Sequence, residues 1–187
     1  MSSPSVEDLR AILAAYKRVV DATWPDLHPT MRERSRRWAT ASAQELATEL
    51  AALLKESSAG GSASRVFWKI APRFEFGGAN RHFATDAGFA DPAELVGLTD
   101  SDPRLPWRPQ AAKYRADDEA VVTSKTAQLG IIERQKGPTG EITWVRVAKV
   151  PIVHANGDAV GVLGVYEPLD PDIARKLAVQ QLKRSPT

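Results

Sequence analysis

The stretch Glu141-Ile142-Thr143-Trp144-Val145-Arg146-Val147-Ala148-Lys149-Val150-Pro151-Ile152-Val153 decides the fold. It is rich in β-branched and aromatic residues and leads into His154-Ala155-Asn156-Gly157-Asp158. A second such run follows, Ala159-Val160-Gly161-Val162-Leu163-Gly164-Val165-Tyr166. Two long strands joined by a tight turn are expected, and Asn-Gly favours the positive φ angles of a type I′ hairpin. Alternation sets Trp144, Arg146 and Ala148 on one face and Val145, Val147 and Lys149 on the other, so only one of Arg146 and Lys149 can face a given layer.

Upstream of this hairpin, Gln128–Gln135 reads as a further strand, and Pro109–Ser124 as a helix with Ala112, Ala116, Ala120 and Val121 toward the core. Asn80 caps a short helix through Phe83 and Ala87, which Gly88 ends. Asp91-Pro92-Ala93-Glu94 places a cap and a first-turn proline for another helical turn. Val66–Ile70 and Phe74–Gly78 read as strands. Two strands, several helices and three strands, in that order, indicate an α+β domain with an antiparallel sheet.

The flanks are helical. Ser5, Glu7 and Asp8 open a helix whose Leu9, Ile12, Leu13, Tyr16, Val19 and Val20 form one apolar stripe, and Pro25 and Pro29 interrupt it. A capping box at Ser42–Glu45 precedes Leu46, Leu50, Leu53 and Leu54. The polar run Ser57–Ser62 marks a boundary, and a short helix after Pro171 carries Ile173, Leu177 and Leu182. The expected organisation is a helical extension over 1–60, a sensor-like domain over 61–168 and a helix and tail over 169–187. The two leucine-striped helices either cover the sheet's outer face or pair between subunits.

Composition narrows the chemistry. The chain has 187 residues and no cysteine, which excludes disulfides, thiolate metal sites and cysteine nucleophiles. Residues 1–60 carry 8 basic and 8 acidic side chains and residues 61–168 carry 13 of each. The surplus of positive charge sits in the tail, at Arg175, Lys176, Lys183 and Arg184. No membrane-length apolar run and no signal peptide are visible, which fits a cytoplasmic protein.

The middle segment resembles a PAS domain. Phe67-Trp68-Lys69, Gly78-Ala79-Asn80-Arg81-His82-Phe83-Ala84, Ala87-Gly88-Phe89 and Pro92–Asp100 fall in the family's order. Ala116–Val121, Val145–Ile152 and Gly161–Val165 continue it. The resemblance implies a five-stranded antiparallel sheet with a helical crossover and a cavity between them. It also implies a sensing or relay role, dimerisation through an N-terminal helix, an unidentified signalling partner and no catalysis.

Departures from the family matter. Flavin photoreceptors of the LOV class need a cysteine beside the Asn80 position, so adduct photochemistry is excluded. Oxygen-sensing haem members place a histidine on the long helix, and Pro109–Ser124 has none. The Asp-Ile-Thr triplet after the last strand is replaced by Tyr166-Glu167-Pro168.

The expected pocket is aromatic: Trp68, Phe76, Phe83, Phe89, Trp107, Tyr114 and Trp144, with Asn80, Arg115, Arg146 and Lys149 as polar anchors for a small organic ligand. The cofactor is unknown; His82 is the one residue placed to hold a haem. His28 and His154 read as loop and turn residues, and Asp117-Asp118-Glu119 as a solvated helix face. No histidine pair has metal-ligand spacing. Arg32–Trp38 is a basic run with an aromatic, suited to nucleic acid, but neighbouring acidic residues favour intramolecular pairing. A ligandless docking scaffold is the alternative of a different class.

Overall fold

The computed structural model describes residues 3–59 and 64–184. Its elements are α1 (Val6–Thr23), α2 (Met31–Ser35), α3 (Ala43–Glu56), β1 (Arg65–Ile70), β2 (Glu75–Ala79) and α4 (Arg81–Asp86). Two 3-10 turns follow, Pro92–Leu95 and Arg108–Gln110. Then come α5 (Ala111–Ser124), β3 (Gln128–Lys136), β4 (Ile142–Val153), β5 (Ala159–Pro168) and α6 (Pro171–Arg184). The sheet order is β2-β1-β5-β4-β3, with every neighbouring pair antiparallel.

Helices cover both faces of this sheet. On the outer face, α1 lays Leu9, Ile12, Leu13, Tyr16, Val19 and Val20 against Val66, Trp68, Ala148, Val150, Ile152, Leu163 and Val165. Leu46, Leu50 and Leu53 of α3 join the same core. Each fully buried aliphatic side chain contributes about 1.5–3 kcal/mol. The α1 stripe covers the chain's own sheet, and the α3 stripe packs against α1 within the same chain. The capping boxes at Ser5–Asp8 and Ser42–Glu45 form as expected.

The other face carries α4, the 3-10 turns and α5. Because β1, β4 and β5 are covered on both sides, their sequences run almost continuously apolar rather than alternating. Trp68 lies flat over Gly77 and Gly78 of β2, where an added Cβ at Gly78 would stand 2.2 Å from the indole.

Three local expectations, for the β4–β5 turn, α5 and α6, need correction. The β4–β5 turn is not type I′: Gly157 (φ 89°) has positive φ and Asn156 does not. Hydrogen bonds from Gly157 N–H to His154 O and from His154 N–H to Asp158 O close a three-residue loop with a glycine bulge. In α5 the inward residues are Ala111, Asp118 and Val121, with Tyr114 half-buried, whereas Ala112, Ala116 and Ala120 face solvent. The alanine spacing gave the wrong phase, because the helix turns a charged residue inward. In α6, Ile173 and Leu182 are exposed and Ala174 is the buried contact. The boundary expected at Ser57–Ser62 lies partly on residues 60–63, outside the described residues, and Ser57 itself is buried beneath Asn80.

Candidate functional site

A cavity lies between the inner face of the sheet and the roof formed by α4, α5 and the turn before α5. Its walls are aromatic. Phe67 of β1, Phe76 of β2 and Phe83 of α4 contact one another, with Phe67 and Phe83 stacked at 4.6 Å between centroids. Trp107 and Tyr166 close on Phe83 at 5.4 and 6.0 Å. Tyr114, Val147, Gln135 and Glu133 complete the rim, and the polar floor is Lys69, Asp100 and Lys149.

The lysines are the unusual feature. Lys69 and Lys149 sit in apolar strands, on the inner face, 2% and 4% exposed. Lys69 Nζ donates to Asp100 Oδ2 (2.5 Å) and Asp118 Oδ2 (2.7 Å), and Lys149 Nζ donates to Asp118 Oδ1 (2.7 Å). Trp107 Nε1 donates to the other oxygen of Asp100 at 3.0 Å. Two cations and two anions therefore form one buried, charge-balanced chain, as burial of charge demands. Burial alone would lower the Lys69 pKa; the adjacent Asp118 and Asp100 outweigh it and hold the ammonium above its ordinary value. Burial likewise pushes the Tyr114 and Tyr166 phenols up, so both stay protonated. Tyr166 donates to Asp86 (2.7 Å) and accepts from Gln135 Nε2 (2.9 Å).

Asp118 couples the site to a helix. It is fully buried, not solvated as the acidic run suggested, and it ties α5 to β1 and β4. The rest of α5 is held by apolar packing of Val121 against Phe74 and Val162 and by surface polar contacts, Lys113 to Glu133 and Arg115 to the carbonyls of Pro72 and Arg73.

Of the expected pocket residues, Phe76, Phe83, Trp107, Tyr114 and Lys149 line the cavity. Trp68 and Arg146 lie on the opposite face of the sheet, Trp68 in the α1 core and Arg146 over the Trp24 ring. Strand alternation from Val145 and Phe67 explains both. Trp144 pairs with Arg134 at the sheet edge, Phe89 takes the Arg104 guanidinium, and Arg115 lies over Phe74. Asn80 is structural: its Oδ1 accepts from the Phe83 and Val66 amides, and its Nδ2 donates to Ser57 Oγ and Ser64 O.

The histidines also need correction. His82 is half-buried on α4 and does not line the cavity. His28 is buried, not on the surface, with Nε2 2.9 Å from Tyr16 Oη and Nδ1 3.3 Å from Glu56. His154 bonds Asp8 Oδ1 at 2.9 Å, tying the hairpin to the start of α1. Arg34 pairs with Glu49 and Glu56, so the basic run spends one arginine inside the chain.

Sequence reading missed Phe67, Lys69, Asp100 and Tyr166. A lysine in the middle of each of two apolar strands was the available signal.

The cavity offers about 40 Å³ to water centres, room for roughly three waters. Small-molecule pockets usually exceed about 300 Å³. No histidine lines the cavity to ligate a haem iron, and at this volume the cavity must widen to admit any ring-sized ligand, a flavin most of all. Among the described residues no cluster of acidic or histidine side chains could hold a metal ion, and no helix is long and apolar enough to cross a membrane.

A family model described as the PAS fold matches residues 66–169. Among solved structures, the VqmA dimer of Vibrio cholerae without target DNA superposes with a TM-score of 0.54 at 19% identity, over 67% of this chain and 52% of that one. A phage VqmA–DPO complex gives 0.56 at 19% identity, over 77% and 62%. A PAS domain from Colwellia psychrerythraea gives 0.51 at 16% identity, over 66% and 97%. The chain thus spans little more than half the length of the VqmA chains, and at these identities the likeness is one of fold. No curated protein matches.

Proposed function

This chain belongs to the PAS-fold family, and we propose that it is a non-catalytic cytoplasmic sensor of a small organic ligand bound in the cavity beneath α5. The observation that carries this reading is the buried Lys69–Asp118–Lys149 bridge at the cavity floor. It gives the attachment of α5 at the cavity an electrostatic part, beside the apolar packing of Val121, and that part is open to competition from a ligand's polar group. A neighbour of the same fold was solved as a VqmA–DPO complex, which supports ligand binding by this architecture.

The signal is a shift in the population of α5 positions. A ligand that binds one position better than the other moves the balance by its differential affinity and no more. The change passes through β5, where Tyr166 faces the cavity and the adjoining Glu167 accepts from Trp24 Nε1 (2.8 Å) and pairs with Arg146 on the outer face. A signalling protein or a second copy of the chain reads the flanking helices. Because the α1 stripe is used within the chain, self-association falls to α6, where Ile173, Val179 and Leu182 are exposed.

The small volume favours a second reading, a filled core that serves as a docking scaffold. Native and denaturing mass spectra of the purified protein separate the two. An added mass that leaves on denaturation supports the sensor; a clean apo mass, together with no response to any small-molecule probe in an NMR titration, supports the scaffold.

A further inference from the structure

The donors and acceptors around the cavity are not matched, and the mismatch identifies a ligand class. This step rests on the cavity being a ligand site. Lys69 is saturated: two carboxylates take its N–H groups, and the Phe67 and Phe76 rings lie 5.3 and 5.1 Å from its nitrogen. Lys149 is not. A lysine ammonium has three donors. Lys149 gives one to Asp118, the Tyr114 ring lies 5.6 Å away, and the next carboxylate, Asp117, is 4.0 Å away and out of hydrogen-bond reach. At least one N–H of a side chain 4% exposed therefore lacks an acceptor among the described residues, and Lys149 lines the cavity. Both oxygens of Asp100 accept, and one oxygen of Glu133, at the rim, accepts from Lys113.

Charge decides between ligands that could fill this donor. Lys69 and Lys149 are already balanced by Asp100 and Asp118, and the next charges out, Lys113, Glu133 and Asp117, sum to one negative. A carboxylate or phosphate would enter with no excess positive charge to neutralise it, and its desolvation would be uncompensated. An amine would set a donor against the Lys149 donor and bring a third cation beside two buried ammonium groups. The aromatic walls favour a flat body.

We infer that the ligand is a small, planar, uncharged molecule whose carbonyl oxygen or ring nitrogen accepts a hydrogen bond from Lys149 Nζ. It is no larger than a single ring with short substituents, and its entry moves α5 outward.

Four one-ring probes of one shape test this on the full chain: benzamide, benzoate, benzylamine and toluene, titrated at pH 7 and followed by NMR. Benzamide is expected to bind at least about tenfold more tightly than the other three, the value of one hydrogen bond to a charged group. Replacing Lys149→Met together with Asp118→Asn removes one charge of each sign. It is expected to abolish the preference for benzamide over toluene while toluene still binds. A folded Lys149→Gln variant, which keeps a donor without the charge, is expected to retain part of the preference. Tighter binding of benzoate, equal binding of toluene and benzamide, or a preference that survives Lys149→Met overturns the ligand class and leaves the cavity as a ligand site. No response of Phe67, Phe83 and Tyr166 to any probe overturns the cavity reading and the ligand class with it.

Discussion

Lys69 Nζ stands 2.7 Å from Asp118 Oδ2, and the two side chains are 3% and 0% exposed. The pair joins the inner face of β1 to the middle of α5, the helix that roofs the cavity. In the interior, the attraction between such charges is offset by the cost of drying them, so the pair itself adds little net stability. Breaking it is a different matter, because the remaining charge stays buried without a partner.

Asp118→Ala is therefore expected to destabilise the fold by about 3–5 kcal/mol, since both Lys69 and Lys149 lose an acceptor. The paired replacement Lys149→Met with Asp118→Asn is expected to cost less than Asp118→Ala, because Lys69 and Asp100 still neutralise each other. Urea unfolding of wild type, the Asp118→Ala variant and the pair measures this. A paired variant less stable than Asp118→Ala would mean that the bridge stabilises by more than charge balance.

Gly78→Ala is expected to lower stability by about 1–3 kcal/mol, although alanine suits a strand better than glycine. The new Cβ would meet the Trp68 ring at 2.2 and 2.3 Å, and Trp68 is held from above by the α1 core. Thermal unfolding reads the effect, and the double variant Gly78→Ala with Trp68→Leu should recover part of it.

The sheet was legible because its strands carry long β-branched runs whose limits are set by turn residues, as at Val153 and Asn156-Gly157. The helix starts were legible because Ser5, Ser42, Asn80 and Asp91 are capping residues with the right neighbours. The site was only half legible. Alternation within β4 separated Lys149 from Arg146 correctly, but which face looked inward depended on where α1 docked, and local pattern does not contain that. The same ambiguity put Trp68 in the pocket. Asp118 was misread because a charge on a helix is usually solvated. Its burial depends on two lysines, 49 and 31 residues away in sequence, meeting it across the domain.

His28 sets a pH dependence. Burial holds its pKa below the ordinary value of 6.5, against the pull of Glu56 upward. Arg34 also faces it and Glu49 lies nearby, while Tyr16 shares its Nε2. The unfolded chain then binds more protons than the folded one just below pH 6.5, so stability rises with pH through that window and falls on acidification. The onset near pH 6.5 lies above the range in which the carboxylates Asp8 and Glu56, both held below their ordinary values, begin to contribute. Urea midpoints between pH 7.5 and 5 are expected to decline for wild type. The decline should be shallower in His28→Gln, which retains a hydrogen-bonding amide but does not titrate; an unchanged slope would remove His28 as its source.

The N-terminal helices supply the outer half of the core, so the sheet is not expected to stand without them. Deleting residues 1–59 would expose Val66, Trp68, Val150, Ile152, Leu163 and Val165 along one continuous face, an apolar patch of the kind that drives aggregation. The truncated chain should therefore be recovered insoluble, or soluble with strong binding of a hydrophobic dye. Leu13→Ala tests the same contact more gently. Leu13 is fully buried in this core, and its loss is expected to cost about 2–5 kcal/mol by leaving a cavity. A soluble, cooperatively unfolding chain lacking residues 1–59 would show instead that the helical extension is an appendage and that its contacts with the sheet contribute little.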